Sequence, residues 1–110
     1  MLMVKTNDYF EADLAALPSP ELRREAKWNI RLLELREFIR PKALGKSRKT
    51  GDLTGCWAVK FDDPAIGHNR YRLSYRYIPD DWFPEIVELI AVGPRFEDWV
   101  YKAAANRLNS

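Results

Sequence analysis

A chain of 110 residues, 46% hydrophobic and 31% charged, holds enough apolar mass for a single core and has an ordinary globular composition. No apolar run is long enough to span a bilayer, and Met1–Lys5 lacks the pattern of a signal peptide. The lone Cys56 excludes an internal disulfide and a multi-cysteine metal site, and it points to a reduced, cytoplasmic setting.

The formal net charge of +2 is unevenly spread, since residues 21–60 carry eleven Lys/Arg against five Asp/Glu while residues 61–110 carry six against eight. Arg36, Arg40, Lys42, Lys46, Arg48 and Lys49 form the densest block. A phosphate-rich partner is one reading of it, and a solvated helix end and loop is the other.

Met1–Thr6 reads as an edge strand. Asn7 or Thr6 caps a helix running to about Leu17, with Phe10, Leu14 and Leu17 at helical spacing. Pro18-Ser19-Pro20 breaks it, and Ser19 caps a second helix with Pro20 at its first position. That helix is expected to reach Arg40, before Pro41. It carries two apolar stripes, Leu22/Ala26/Ile30/Leu33 for a sheet and Trp28/Leu32/Leu35/Ile39, which the first helix is expected to cover in place of a partner protein.

Pro41–Asp52 is a basic loop with Gly45 and Gly51. Gly55–Phe61 places Trp57, Val59 and Phe61 on one face of a strand, and Cys56, Ala58 and Lys60 on the other. A loop over 62–69 contains Pro64, Gly67 and the only histidine, His68, expected to be exposed and far from Arg95. Arg70–Tyr77 then alternates strictly, with Tyr71, Leu73, Tyr75 and Tyr77 on one parity and Arg70, Arg72, Ser74 and Arg76 on the other. One face suits a core; the other suits water or an anion. A salt bridge from Arg76 to Asp80 or Glu88 is the plain alternative for that residue.

Trp82 and Phe83 sit at a loop tip, either to meet a partner or to fold back, while Trp28 and Trp57 read as core. Ile86–Val92 is almost continuously apolar, as in a strand covered on both faces. Gly93-Pro94 ends it, and Arg95–Leu108 is a helix with Glu97 and Asp98 in its first turn. The expected architecture is α+β, in one domain over 1–110. An antiparallel sheet of about four strands carries an N-terminal αα-hairpin on one face and a C-terminal helix, in the order β-α-α-β-β-β-α.

The runs Cys56–Phe61, Tyr71–Arg76, Ala91–Arg95 and Val100–Leu108 resemble, in order and spacing, the RelE branch of the RelE/ParE toxins. These are the toxin halves of bacterial and phage type II toxin–antitoxin modules. The resemblance implies the same element order and a metal-independent, cofactor-free endoribonuclease. Such an enzyme cuts mRNA in the ribosomal A site through the ribose 2′-OH and is neutralised by a cognate antitoxin.

It further implies a catalytic set of Lys60, Arg72, Arg95 and Tyr101, with Tyr101 as base or substrate-orienting group and the cations at the phosphate. Arg40, Lys42, Lys46, Arg48, Lys49 and Arg76 are the expected RNA- and ribosome-binding residues. The chain departs from the family pattern at Ala58, where well-known members have a second lysine. A ParE-like toxin that poisons DNA gyrase without nuclease activity is the alternative.

Overall fold

The computed structural model describes residues 1–37, 41–48 and 50–109. The elements are β1 (Met3–Lys5), α1 (Asp8–Ala15), α2 (Pro20–Glu34), β2 (Lys42–Ala43), β3 (Lys46–Ser47), β4 (Gly51–Asp52), β5 (Trp57–Phe61), β6 (Tyr71–Ile78), β7 (Ile86–Pro94), a 3₁₀ turn (Phe96–Asp98) and α3 (Trp99–Leu108). Among the described residues the main sheet has five strands in the order β1-β7-β6-β5-β2, and β3 and β4 form a separate hairpin. β5, β6 and β7 make the expected antiparallel meander, while β1 joins β7 in parallel. The architecture is α+β, with one short strand, β2, and the β3–β4 hairpin where the sequence suggests only a basic loop.

Capping chemistry sets the helix starts. Asn7 Oδ1 accepts from the Phe10 amide at 3.0 Å and Ser19 Oγ from the Leu22 amide at 3.2 Å. α2 stops at Glu34, short of the expected Arg40, although residues 38–40 lie outside the described set. Its end is a Schellman closure in which the Arg36 amide donates to Leu33 O and the Glu37 amide to Leu32 O. Arg36 occupies the left-handed position usually given to glycine, at φ 56°, and its guanidinium lies 5.0 Å from the Tyr77 ring centroid. No glycine marked this stop in the sequence.

The core divides across the sheet. On one side Val59, Phe61, Leu73, Tyr75, Val87, Leu89 and Val92 pack against Phe10, Leu14, Leu22, Ala26 and Leu33 of the helical hairpin. Each such fully buried large side chain contributes on the order of 1.5–3 kcal/mol. Burial pushes the Tyr75 phenol far above its ordinary pKa. On the other side Val100, Ala104 and Ala105 of α3 pack in one cluster with Leu53, Cys56, Ile90 and Ala91.

The second stripe of α2 is not covered as expected. Trp28 is 58% exposed and Leu35 40%, because α1 packs mainly on β7 and leaves that side of α2 in solvent. Trp28 is therefore a surface residue, whereas Trp57 is partly buried and donates from Nε1 to Asp81 at 3.2 Å. Trp82 and Phe83 do not fold back.

β1 reaches only as far as Glu88 along β7. Beyond it, side chains replace a neighbouring strand. The Val92 amide donates to Asp13 Oδ2 at 3.2 Å, and Arg107 Nη1 donates to Ile90 O at 2.8 Å. Arg107 also grips Asp13 through Nη1 at 2.6 Å and Nη2 at 3.0 Å, so a bidentate ion pair ties α1 and α3 to the strand edge.

Candidate active site

Strand register brings two of the sequence-predicted residues, Lys60 and Arg72, into one row. Lys60 of β5 pairs directly with Arg72 of β6, and Arg72 with Gly93 of β7. Paired residues in an antiparallel ladder share a face. Arg95 follows two residues past Gly93, exposed, with its amide donating to Arg70 O at 2.9 Å. The next row holds Lys42, Ala58, Ser74 and Ala91. Lys42 therefore stands beside Ala58, on the face of Lys60, next to the position where the RelE pattern has its second lysine.

α3 packs on this same face, since its Val100 and Ala104 meet Ala91. Tyr101 is partly buried against that cluster. The Trp99 indole lies directly over Gly93, where any Cβ would overlap its ring. A glycine inside a strand often marks such a close approach, and this one makes room for an aromatic ring beside Arg72.

The cationic face is not open along its length, as the alternation alone suggested. Arg72 is only 6% exposed, and its Nη1 donates to the carbonyls of Asn69 and Tyr71, the latter at 2.9 Å. Its Nε is buried without a hydrogen-bond partner among the described residues. A buried donor left unpaired costs about 1–3 kcal/mol, which singles this guanidinium out. Ser74 is buried beneath α3 and donates to Ala91 O at 3.2 Å.

Arg76 is held by Glu88 at 2.7 Å, the plainer of its two sequence readings, and Glu88 also meets Lys5 at 3.1 Å. Lys42, Lys46 and Arg48 are exposed, while Arg40 and Lys49 lie outside the described residues. Arg70 forms a forked pair with Asp62, at 2.7 Å and 3.1 Å, which lowers the Asp62 pKa to about 2.

His68 is exposed, as expected, but not remote. It lines one cleft of about 640 Å³ with Arg70, Tyr71, Arg95 and Phe96. The loop over 62–69 folds back through Asp62, whose carboxylate accepts from the Arg70 amide at 3.1 Å and from the Asp63 amide at 2.7 Å. Glu97 and Asp98 do not form the helix turn expected of them. Both are left-handed, at φ 52° and 57°, and α3 proper begins at Trp99.

Cys56 is 2% exposed and burial pushes its thiol pKa up, the reverse of what a nucleophile needs. Among the described residues no three His, Cys, Asp or Glu side chains gather as a metal site. No described helix is long and apolar enough to cross a membrane.

No protein-family model matches the sequence. No curated protein sequence matches it either. Solved structures do. The free state of an arginine-to-alanine double mutant of the E. coli toxin RelE superposes with a TM-score of 0.61 at 21% identity, covering 97% of each chain. The chain has the RelE fold. A conserved hypothetical protein from Helicobacter pylori, HP0892, superposes at 0.50 and 15% identity over 88% of this chain and 98% of its own. In this RelE fold, Lys60 and Arg72 come from β5 and β6, Arg95 from just past β7, and Tyr101 from α3, where it packs against the cluster of Leu53, Cys56, Ile90 and Ala91.

Proposed function

We propose that this chain is the toxin of a type II toxin–antitoxin module, an endoribonuclease that cuts mRNA in the ribosomal A site and is restrained by a cognate antitoxin. The single observation that carries the reading is the cross-strand row Lys60–Arg72–Gly93, with Arg95 just beyond it, on the face against which the Tyr101 helix packs. The RelE fold supports the toxin class.

In the reaction the ribose 2′ oxygen bonds to the adjacent phosphorus and the bond from phosphorus to the 5′ oxygen breaks. The 2′ proton passes to a base and the departing 5′ oxygen takes one up. The pentacoordinate phosphorus carries extra negative charge, and guanidinium groups fixed beforehand lower its energy most where water is excluded. Arg72, only 6% exposed and with Nη1 already donating to backbone carbonyls, acts from beneath the surface as a poorly solvated positive charge and not as a direct donor to the phosphate. Arg95 supplies a second, exposed guanidinium, Lys60 neutralises charge or relays a proton, and Tyr101 is base or substrate-orienting group. Lys42, beside Ala58, adds positive charge on the same face.

The test is cleavage of programmed ribosomes by purified protein. Wild type cuts the A-site codon. Arg95→Ala and Tyr101→Phe each lower the rate by roughly 10²–10³-fold with unchanged circular dichroism. Full activity in both variants would remove the site assignment. Inhibited DNA supercoiling with intact mRNA would replace the nuclease by a gyrase poison.

A further inference from the structure

The cleft at the end of β6 and β7 has a feature the cleavage chemistry does not use. Phe96, immediately after Arg95, is 77% exposed and stands on the wall of that cleft. No described packing explains an aromatic ring held in water there. The backbone around it is committed to an uncommon shape, since Asn69, Glu97 and Asp98, three of the four described non-glycine residues at positive φ, all line this one cleft. Consecutive left-handed acidic residues are costly and persist where the surroundings impose them, a pattern concentrated at binding sites. Arg72 anchors the other wall by donating to the Asn69 carbonyl, with its Nε unpartnered and buried.

We propose that this cleft is a nucleotide-reading subsite, in which one unpaired RNA base stacks on Phe96 while Arg95 holds the phosphate beside it. The inference rests on the RNA-cleaving reading for its class of ligand. An exposed aromatic ring next to an arginine is the usual means of seating a splayed base, because every base offers a π-face. The volume of about 640 Å³ falls within the ~300–1,000 Å³ range of small-ligand pockets. His68 and the carboxylates of Glu97 and Asp98 border the cleft and provide donors and acceptors that distinguish one base edge from another. In consequence the cleft contributes sequence preference, and the Lys60–Arg72 row contributes rate.

The experiment uses short single-stranded RNAs carrying one 2-aminopurine, titrated with the full chain and with Phe96→Ala, Phe96→Tyr and His68→Ala. Binding by wild type quenches the fluorophore. Phe96→Ala weakens binding about tenfold and abolishes the quench, and Phe96→Tyr restores both. On programmed ribosomes, Phe96→Ala and His68→Ala flatten the preference among codons.

Equal affinity and quench in Phe96→Ala, or no binding of RNA by wild type, would overturn the subsite. So would a Phe96→Ala variant that keeps RNA affinity but loses binding of an antitoxin peptide. Quenching that depends on Phe96 in a protein that cuts no ribosomal mRNA would keep the subsite and end the nuclease reading. Unchanged codon preference in Phe96→Ala with normal cleavage would do the reverse.

Discussion

Replacing Asp13 by alanine tests the tertiary contact that ties α1 and α3 to the edge of β7. The carboxylate is 8% exposed and accepts three hydrogen bonds, one from the Val92 amide and two from Arg107. Removing it leaves a buried amide without its acceptor and a guanidinium, 19% exposed at its side chain, without the charge that neutralises it. Breaking a buried ion pair from one side costs about 3–5 kcal/mol. Arg107 retains Ile90 O and the Tyr9 ring, 5.5 Å from its guanidinium, so the lower end, about 3 kcal/mol, applies.

Against a total of roughly 5–15 kcal/mol this is a large fraction, and it lowers Tm by roughly 10–25 °C. Asp13→Asn keeps an acceptor for the Val92 amide and costs less, about 1–3 kcal/mol. Urea denaturation of Asp13→Ala, Arg107→Ala and the double variant gives a coupling energy of about 1–3 kcal/mol if the two act as a unit. An Asp13→Ala variant within about 1 kcal/mol of wild type, at the same m value, would refute the claim that this pair closes the edge of β7.

Gly93→Ala places a methyl carbon 2.8 Å from Trp99 Cε3 and in overlap with Cζ3. It is expected to destabilise by about 1–3 kcal/mol in thermal denaturation, a penalty that disappears in a Trp99→Ala background. The Asp62 carboxyl, held down to about 2 by Arg70, stabilises the fold fully above the ordinary range of about 3.9 and loses that contribution as pH falls towards 2. Acid titration of stability is expected to flatten over that interval in Asp62→Asn, and an unchanged acid limb would count against it. Lys42→Ala is expected to reduce the salt slope of RNA binding by about one, whereas Arg76→Ala, already offset by Glu88, changes it little. Equal slopes for the two variants would contradict a place for Lys42 on the RNA-binding face.

The sequence by itself determined the main elements and two of the helix starts, though not β2, the β3–β4 hairpin or the end of α2. Asn7, Ser19 and Pro20 announced two helix starts, because a cap needs only a side-chain oxygen and the next three amides. Strict alternation over Tyr71–Tyr77 announced a two-faced strand, and the order of strands and helices announced the α+β meander. These signals are local and survive without knowledge of distant partners.

Tertiary structure decided the rest. Alternation placed Arg72 opposite the tyrosines, but only the Lys60–Arg72–Gly93 register and the overlying α3 could turn a surface cation into a buried one. His68 joined Arg95, and Arg107 found Asp13, across 27 and 94 residues of chain, through backbone reversals that leave no mark on either residue type. Even the stop of α2 was hidden, since Arg36 adopts a glycine-like conformation that neighbouring packing compensates. Local chemistry specifies which conformation a segment prefers; which side chains end up desolvated together depends on how the segments close on one another.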